Sequence, residues 1–600
     1  MNCRRIATWW LLVGLLLSAG LAFAQVETAT EGETWTTEQA APILDKTLDI
    51  TLAPDLSALS AGERAALEKL LEAGEIMHQL YMLQRHADAP KAQELLKKLE
   101  EEQGDESVSH LKKLFWIAKG PIINTLQNTR AAFLPVSDEL AGKNVYPANL
   151  DREAFDELLS SDPLIREELL ALRHVVRANT AENRERDREL LKLYPGLALF
   201  HAPFERRLAD VEENGAPFYA APYAVEYAKQ LMTIFQLLED ASDCVTEEDP
   251  EFARYLRHRA RDLICGDYEA GDASWVSGRF KNLNAQIGSY ETYDDALYGV
   301  KAFYGMSLLV RDKEKSDALA AAVTDIQAIE NVLPYDHHKT VRSDIPVGVY
   351  NVVADFGQCR GTNTATILPN DAEHTRKYGR TILLRYNIMT NPTLFQLALA
   401  KYQTAVAPEF DDDLLMEGGF QRTLWHEVGH YLGVDKTKRG RPLGEGLQQL
   451  SDHFEEMKAD LVSLFTAHEL HKAGHHSDEQ LKAIYAGGVL RVLQIVEPRI
   501  DQAYNTMQLM QWNYFLENGL LGFDTERGEL SINYDKYHEV VKSLLQKVLS
   551  IQYEGDPQAA AAFVEKYTSW DEEVHGVIAN RLQATTKYRY RHVQYKELQQ

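Results

Sequence analysis

Cysteine is scarce in this chain: four residues in 600, one of them (Cys3) ahead of an N-terminal apolar run. The other three, Cys244, Cys265 and Cys359, allow at most one disulfide, so no disulfide framework can hold the fold. Long apolar runs are equally rare. Only residues 6–21 form one, and this is short of the roughly 20 residues a membrane span requires. Positive charge is also in deficit. The 63 Lys and Arg against 90 Asp and Glu leave a net charge of −27, which argues against nucleic acid or another polyanion as partner. No Walker A segment, GxGxxG or CxxC pair occurs, which removes the common nucleotide-binding and redox signatures.

The apolar run has a meaning of its own. Basic Met1-Asn2-Cys3-Arg4-Arg5 precedes it and Ala22-Phe23-Ala24 closes it, the pattern of a secretory signal peptide cleaved before Gln25. Expected from this are a mature chain of residues 25–600, no stable membrane insertion after cleavage, and a periplasmic or secreted location. A mature chain of that length can bury a large core and form more than one lobe.

The chemistry concentrates in one segment, His426-Glu427-Val428-Gly429-His430. On a helix the two histidines are i and i+4, so both imidazoles leave one face about one turn apart, as two ligands of a tetrahedral zinc must. Glu427, next to the first, can take a proton from an attacking water. A lone HExxH arises by chance in a chain with nineteen histidines, so its context matters. Thr423, Leu424, Trp425, Tyr431 and Leu432 are spaced as a helix, and Gly433 is placed to end it. A second helix is expected from Gln448 to Leu470, with Leu450, Phe454, Met457, Leu461 and Leu464 as its apolar stripe. Glu456 on that helix is the best third ligand, with His453, one turn earlier, as its competitor. Asp460 and Glu455 are then acceptors that orient the ligand imidazoles. His468, His471, His475 and His476 read as surface histidines. The metzincin pattern is excluded, because Lys436 stands where its third histidine belongs.

Along the chain the pattern is mostly helical, with a smaller mixed α/β part. Residues 25–50 read as a polar, flexible lead-in. Helical periodicity follows from Leu56 to about Lys119, then at 151–190 and 223–240. Residues 266–390 change character, with Gly and Tyr clusters and β-prone runs at 347–354 and 381–388. From 391 the chain turns helical again, ending in a basic helix near 577–600. The expected divisions are a signal peptide (1–24), a helical region (25–265), a mixed substrate-binding region (266–390) and a helical metal-binding region (391–600). Gly357-Gln358-Cys359-Arg360-Gly361 fits a GxCxG nucleophile elbow, but without the surrounding α/β-hydrolase pattern.

The segments HEVGH and EEMKADLVSLF together resemble the dipeptidyl-peptidase III family of zinc peptidases. Tyr290 to Gly299 is similar to that family's Glu-x-Tyr segment, and Ile367-Leu368-Pro369-Asn370 to its Pro-Asn loop. Gly142 to Pro147 and the stretch around Leu70–Leu83 resemble its bacterial and plant branch. The resemblance implies two lobes around a cleft, with zinc on helices of the C-terminal lobe. It implies one zinc on His426, His430 and Glu456, and Glu427 as general base. It also implies Tyr293 as oxyanion donor, with Glu291 and Asn370 holding the ammonium end of a short peptide. Two departures stand out. The family hexapeptide is one residue longer, whereas i,i+4 here is ordinary helical spacing. Tyr504 occupies the place of a family histidine, and a tyrosine can donate a hydrogen bond but not as a cation. Two rival readings remain: a zinc hydrolase of a non-peptide amide or ester, and an exported peptide-binding protein with a degenerate site.

Overall fold

The structure, a computed structural model, describes residues 33–598 apart from 324–325, 342–346, 369–373, 375–376 and 380. The expected signal peptide and Asn370 therefore lie outside the described residues. Among those described, no helix is long and apolar enough to cross a membrane.

Two large hydrophobic cores, and a smaller third one around Trp35, Phe115 and Phe133, organise the chain, which is mostly helical and forms two lobes. The first is built on the helix Ala61–Arg85, started by a capping box in which Ser60 and Glu63 satisfy each other's backbone N–H groups. Its buried stripe of Leu67, Leu70, Met77, Leu80 and Tyr81 packs on the helix Ala228–Val245 and on a five-stranded sheet. The second core belongs to the helices Met416–Gly429, Ser451–Lys472, Asp478–Val492, Ala503–Glu517 and Tyr534–Glu554.

The sheet lies between the two cores. Its strand order is Leu283–Ser289, Tyr304–Arg311, Val347–Gly357, Thr381–Arg385, Ala365–Leu368, with only the third and fourth strands parallel. On Thr381–Arg385, Ile382 and Leu384 enter the second core while Leu383 enters the first. The pleat thus sends neighbouring side chains to opposite lobes. The first core also takes in the chain's return, because Thr47–Leu52 pairs in parallel with Tyr590–Tyr595.

Several expectations are corrected. Residues 25–50 are not all a loose lead-in: Thr37–Leu44 is a capped helix, Thr47–Leu52 a strand, and Trp35 is buried against Phe133. The stretch 151–190 is broken by the strand His174–Ala178, which pairs with Phe218–Pro222. The terminal helix stops at Thr585, and Val593 and Tyr595 alternate inward from a strand. Leu319, Ile326 and Val349 pack with the helices of the second core.

Candidate active site

The helix Met416–Gly429 ends earlier than Gly433 suggested, and His430 is its C-cap. Gly433, at φ 77°, instead turns the chain away, and its N–H donates to Glu330. Gly429 faces Ala459 of the helix Ser451–Lys472, where an added Cβ would sit 3.1 Å from the Ala459 carbonyl oxygen. That missing Cβ lets the two helices meet closely enough for side chains of both to share one centre.

At this centre each imidazole is held from behind. His426 Nδ1 lies 2.7 Å from Asp460 Oδ1, and His430 Nδ1 lies 3.0 Å from Glu455 Oε1. In the neutral ring, donation of Nδ1–H to a carboxylate leaves the Nε2 lone pair available to a metal. Both Nε2 atoms face Glu456 Oε2, at 3.4 Å and 3.9 Å, and the rings stand 5.0 Å apart at 88°. Glu456 Oε2 is buried and forms no hydrogen bond, although a buried carboxylate oxygen ordinarily has a partner. Atoms each about 2.1 Å from a tetrahedral ion stand about 3.4 Å from one another, so these three fit one zinc. His453 does not compete: its Nε2 is engaged with the Ile500 carbonyl at 2.8 Å.

The supporting charges were only partly foreseen. Asp460 also accepts from Arg422 Nη1 at 3.0 Å and Arg491 Nε at 3.2 Å. Burial alone would raise its pKa, but Arg491, His426 and Arg422 together hold it well below the usual carboxylate range. Glu455 accepts from Lys458 Nζ at 2.7 Å and Gln552 Nε2 at 3.3 Å. Against burial, Lys458 and His430 bring it down to about 2. For His426 burial favours the neutral ring, yet Asp460, Glu456 and Glu427 outweigh it and raise the pKa to about 9. Arg422, one turn before His426, and Lys458, three residues after Glu455, were not singled out, although helical spacing offers the signal for both. Arg491 and Gln552 come from distant segments, and no local pattern announces them.

A cleft of about 1400 Å³ opens on this centre. One wall carries His426, Glu427, His430, Glu456 and Tyr504, and the facing wall carries Glu291 and Tyr293 from the loop after Leu283–Ser289. Tyr504 donates its hydroxyl proton to Glu456 Oε1 at 2.9 Å; burial and the Glu456 charge raise its pKa. Tyr293 is 83% exposed in the open cleft. Desolvation by the cleft wall and the Glu291 carboxylate raise its hydroxyl to about 12. Cys359 also lines the cleft, but burial raises its thiol to about 12, and a strand rather than a helix follows its turn, so no nucleophile elbow forms. The described cysteines are all free.

The expected surface histidines differ among themselves. His468 stacks on His538 with ring centroids 3.7 Å apart, and with Glu469 they form a second group whose ligand atoms lie within 4.8 Å. There Lys472 Nζ already holds Glu469, at 3.1 Å.

No family model matches the chain. The structure is similar to that of dipeptidyl-peptidase III from Caldithrix abyssi, at TM-score 0.76 and 23% identity, covering 93% of this chain and 99% of that one. The chain has the dipeptidyl-peptidase III fold. A second such structure, dipeptidyl-peptidase III from Corallococcus sp. strain EGB, aligns at TM-score 0.69 and 23% identity, over 94% of this chain and 98% of that one. In sequence, a protein called Nudix hydrolase 3 from Arabidopsis thaliana is 24% identical over 563 residues, 86% of this chain and 69% of its own length. That name is discordant with the two structures, and about a third of the plant protein lies outside the matched span.

Proposed function

We propose that the chain is a zinc peptidase that releases dipeptides from the free N-terminus of short peptides. The observation that carries this reading is the buried Glu456 Oε2, without a hydrogen bond and facing two imidazole nitrogens whose rings are fixed from behind by carboxylates. His426, His430 and Glu456 would hold the zinc, which, when bound, supplies a Lewis acid for the scissile carbonyl and its attacking water.

The remaining steps belong to this chain's own groups. Glu427, next to His426 and open to the cleft, accepts a proton from the attacking water and passes it to the leaving amine. Tyr293, kept protonated in the cleft, is the O–H donor for the oxygen that gains charge in the transition state, while Tyr504, whose proton is engaged by Glu456 Oε1, orients that carboxylate. Glu291 carries the negative charge on the facing wall and would take the ammonium of the first residue, which sets the distance to the bond that is cut. Asn370 is proposed beside it on the strength of the resemblance. The N-terminal segment supports export to the periplasm or beyond, which the N-terminal residue of the mature protein would test.

One observation favours the rival reading of a non-peptide amide or ester hydrolase. Where the family has a histidine, Tyr504 is tied to Glu456, so the site has no cationic donor there. A panel of N-terminally free and N-acetylated peptides, with Glu427→Ala as control, separates the two. Dipeptides from free N-termini only, lost in the variant, support the proposal. No turnover of any peptide by protein that binds zinc would refute it.

A further inference from the structure

A second cavity, of about 920 Å³, lies behind the metal centre. The helix Met416–Gly429 separates the two: Arg422 and Thr423 line this cavity, while His426, Glu427 and His430 line the cleft. Its charge is unlike that of the rest of the molecule. Lys401, Arg422, Arg491, Lys587, Arg589 and Arg591 line it, and among the described residues no Asp or Glu does, in a chain whose net charge is −27.

Among the described residues, four of these cations have no carboxylate partner. Arg422 and Arg491 share Asp460. Arg589 is bound to the Leu126 carbonyl and the Asn128 side chain, and Arg591 to the Thr362 hydroxyl, all uncharged. Among the described residues no carboxylate pairs with Lys401 or Lys587. Burial and the nearby Arg591 depress the Lys401 pKa, as expected of cations crowded together without an anion. Met389, Leu394, Leu397, Leu490, Leu493 and Ile495 form an apolar stretch of the wall, and Thr362, Thr364, Thr585 and Thr586 add uncharged polar groups. A small inorganic anion would leave these walls uncovered, and a polyanion would find no extended basic track. A pocket of this size with apolar walls and a few convergent polar groups is the usual form of a small-molecule site.

We infer that this cavity binds a single-chain amphiphile with an anionic head, of the long-chain carboxylate class. The head lies among Lys401, Arg589 and Arg591, and the chain lies along the leucine-rich walls. A cavity of one sign of charge concentrates such an anion and makes its capture dependent on salt.

The test is calorimetric titration of the full chain with dodecanoate below its micelle concentration. One equivalent should bind, more weakly as salt rises, and dodecanol or dodecyltrimethylammonium should not displace it. The double variant K401E/R591E should bind about tenfold more weakly or worse. Ala398→Trp, which fills the cavity from its wall, should weaken binding with the cations intact. Both variants should retain zinc stoichiometry and the thermal transition of the parent; if the double variant does not fold, Lys401→Gln serves in its place. Dodecanol binding as well as dodecanoate would overturn the inference, since the cavity would then be only an apolar void. So would dodecanoate binding that the charge variants leave unchanged. Sedimentation with anionic phosphatidylglycerol vesicles, without binding of free dodecanoate, would move the anion to a lipid surface and equally refute a site within the cavity.

Discussion

Zinc must displace a proton from His426, and this can be measured without any substrate. With its pKa raised to about 9, the metal-free ring is charged at neutral pH, with Asp460 as the main charge behind it. The metal needs the neutral ring. Each pH unit below about 9 therefore weakens apparent zinc affinity about tenfold, or about 1.4 kcal/mol, so that at pH 7 the loss is about a hundredfold. Competition with a chelator between about pH 7 and 8.5 should give a slope near one in log affinity against pH. Calorimetry in buffers of different ionisation enthalpy should count about one proton released. Asp460→Asn removes the charge that sustains this pKa and leaves burial to act on the ring, which lowers it. The slope should flatten in the variant, while affinity at high pH falls about 10- to 100-fold because the imidazole loses its orienting acceptor. A flat profile in the parent, or an unchanged slope in Asp460→Asn, would refute the role assigned to Asp460.

The same ring sets a stability effect in the metal-free protein. A folded pKa of about 9 against 6.5 unfolded contributes stability that is fully present below about 6.5 and lost as pH rises through 9. The thermal midpoint of chelated protein should accordingly drop over that window, and less so in Asp460→Asn. Glu427→Gln should lower turnover about 10²- to 10⁴-fold with zinc affinity within a few-fold of the parent, read by the same chelator competition; a large loss of zinc would instead make Glu427 a ligand. Gly429→Ala places a Cβ 3.1 Å from the Ala459 carbonyl oxygen and 3.2 Å from its Cα, so the two metal-bearing helices must part. It should cost about 1–3 kcal/mol in denaturant unfolding and weaken zinc binding, and a variant neutral in both would show that this close approach is not needed. Tyr504→Phe should free Glu456 Oε1 and reduce turnover with little change in metal stoichiometry; full activity would remove Tyr504 from the chemistry.

The centre was legible because its parts are local. His426, Glu427 and His430 sit within five residues, Glu455, Glu456 and Asp460 within six, and helical spacing alone puts each set on its own face. What joins the two sets, the bare Cα of Gly429 against Ala459, is a long-range contact that no spacing displays. The strands Leu283–Ser289 and Tyr304–Arg311 escaped for a different reason. Both are buried along nearly their whole length, so the alternation of polar and apolar residues that marks a half-exposed strand never arises. Tyr590–Tyr595 does alternate inward, but its partner Thr47–Leu52 lies more than five hundred residues away, and basic flanks gave the segment a helical look. The cations of the second cavity are drawn from segments between Lys401 and Arg591, so overall acidity masked them.

The strand Thr381–Arg385, with alternate residues in opposite cores, bears on how this protein can be taken apart. No cut in a connecting segment yields two self-sufficient pieces, because whichever piece keeps the strand exposes half of its side chains. The C-terminal residues, returning to pair beside the beginning of the described chain, add a second bond between the halves. Neither lobe is therefore an exchangeable module. The two are expected to melt in one transition, and any widening of the cleft has to be borne as bending of the shared sheet, not as a swing about a slack tether.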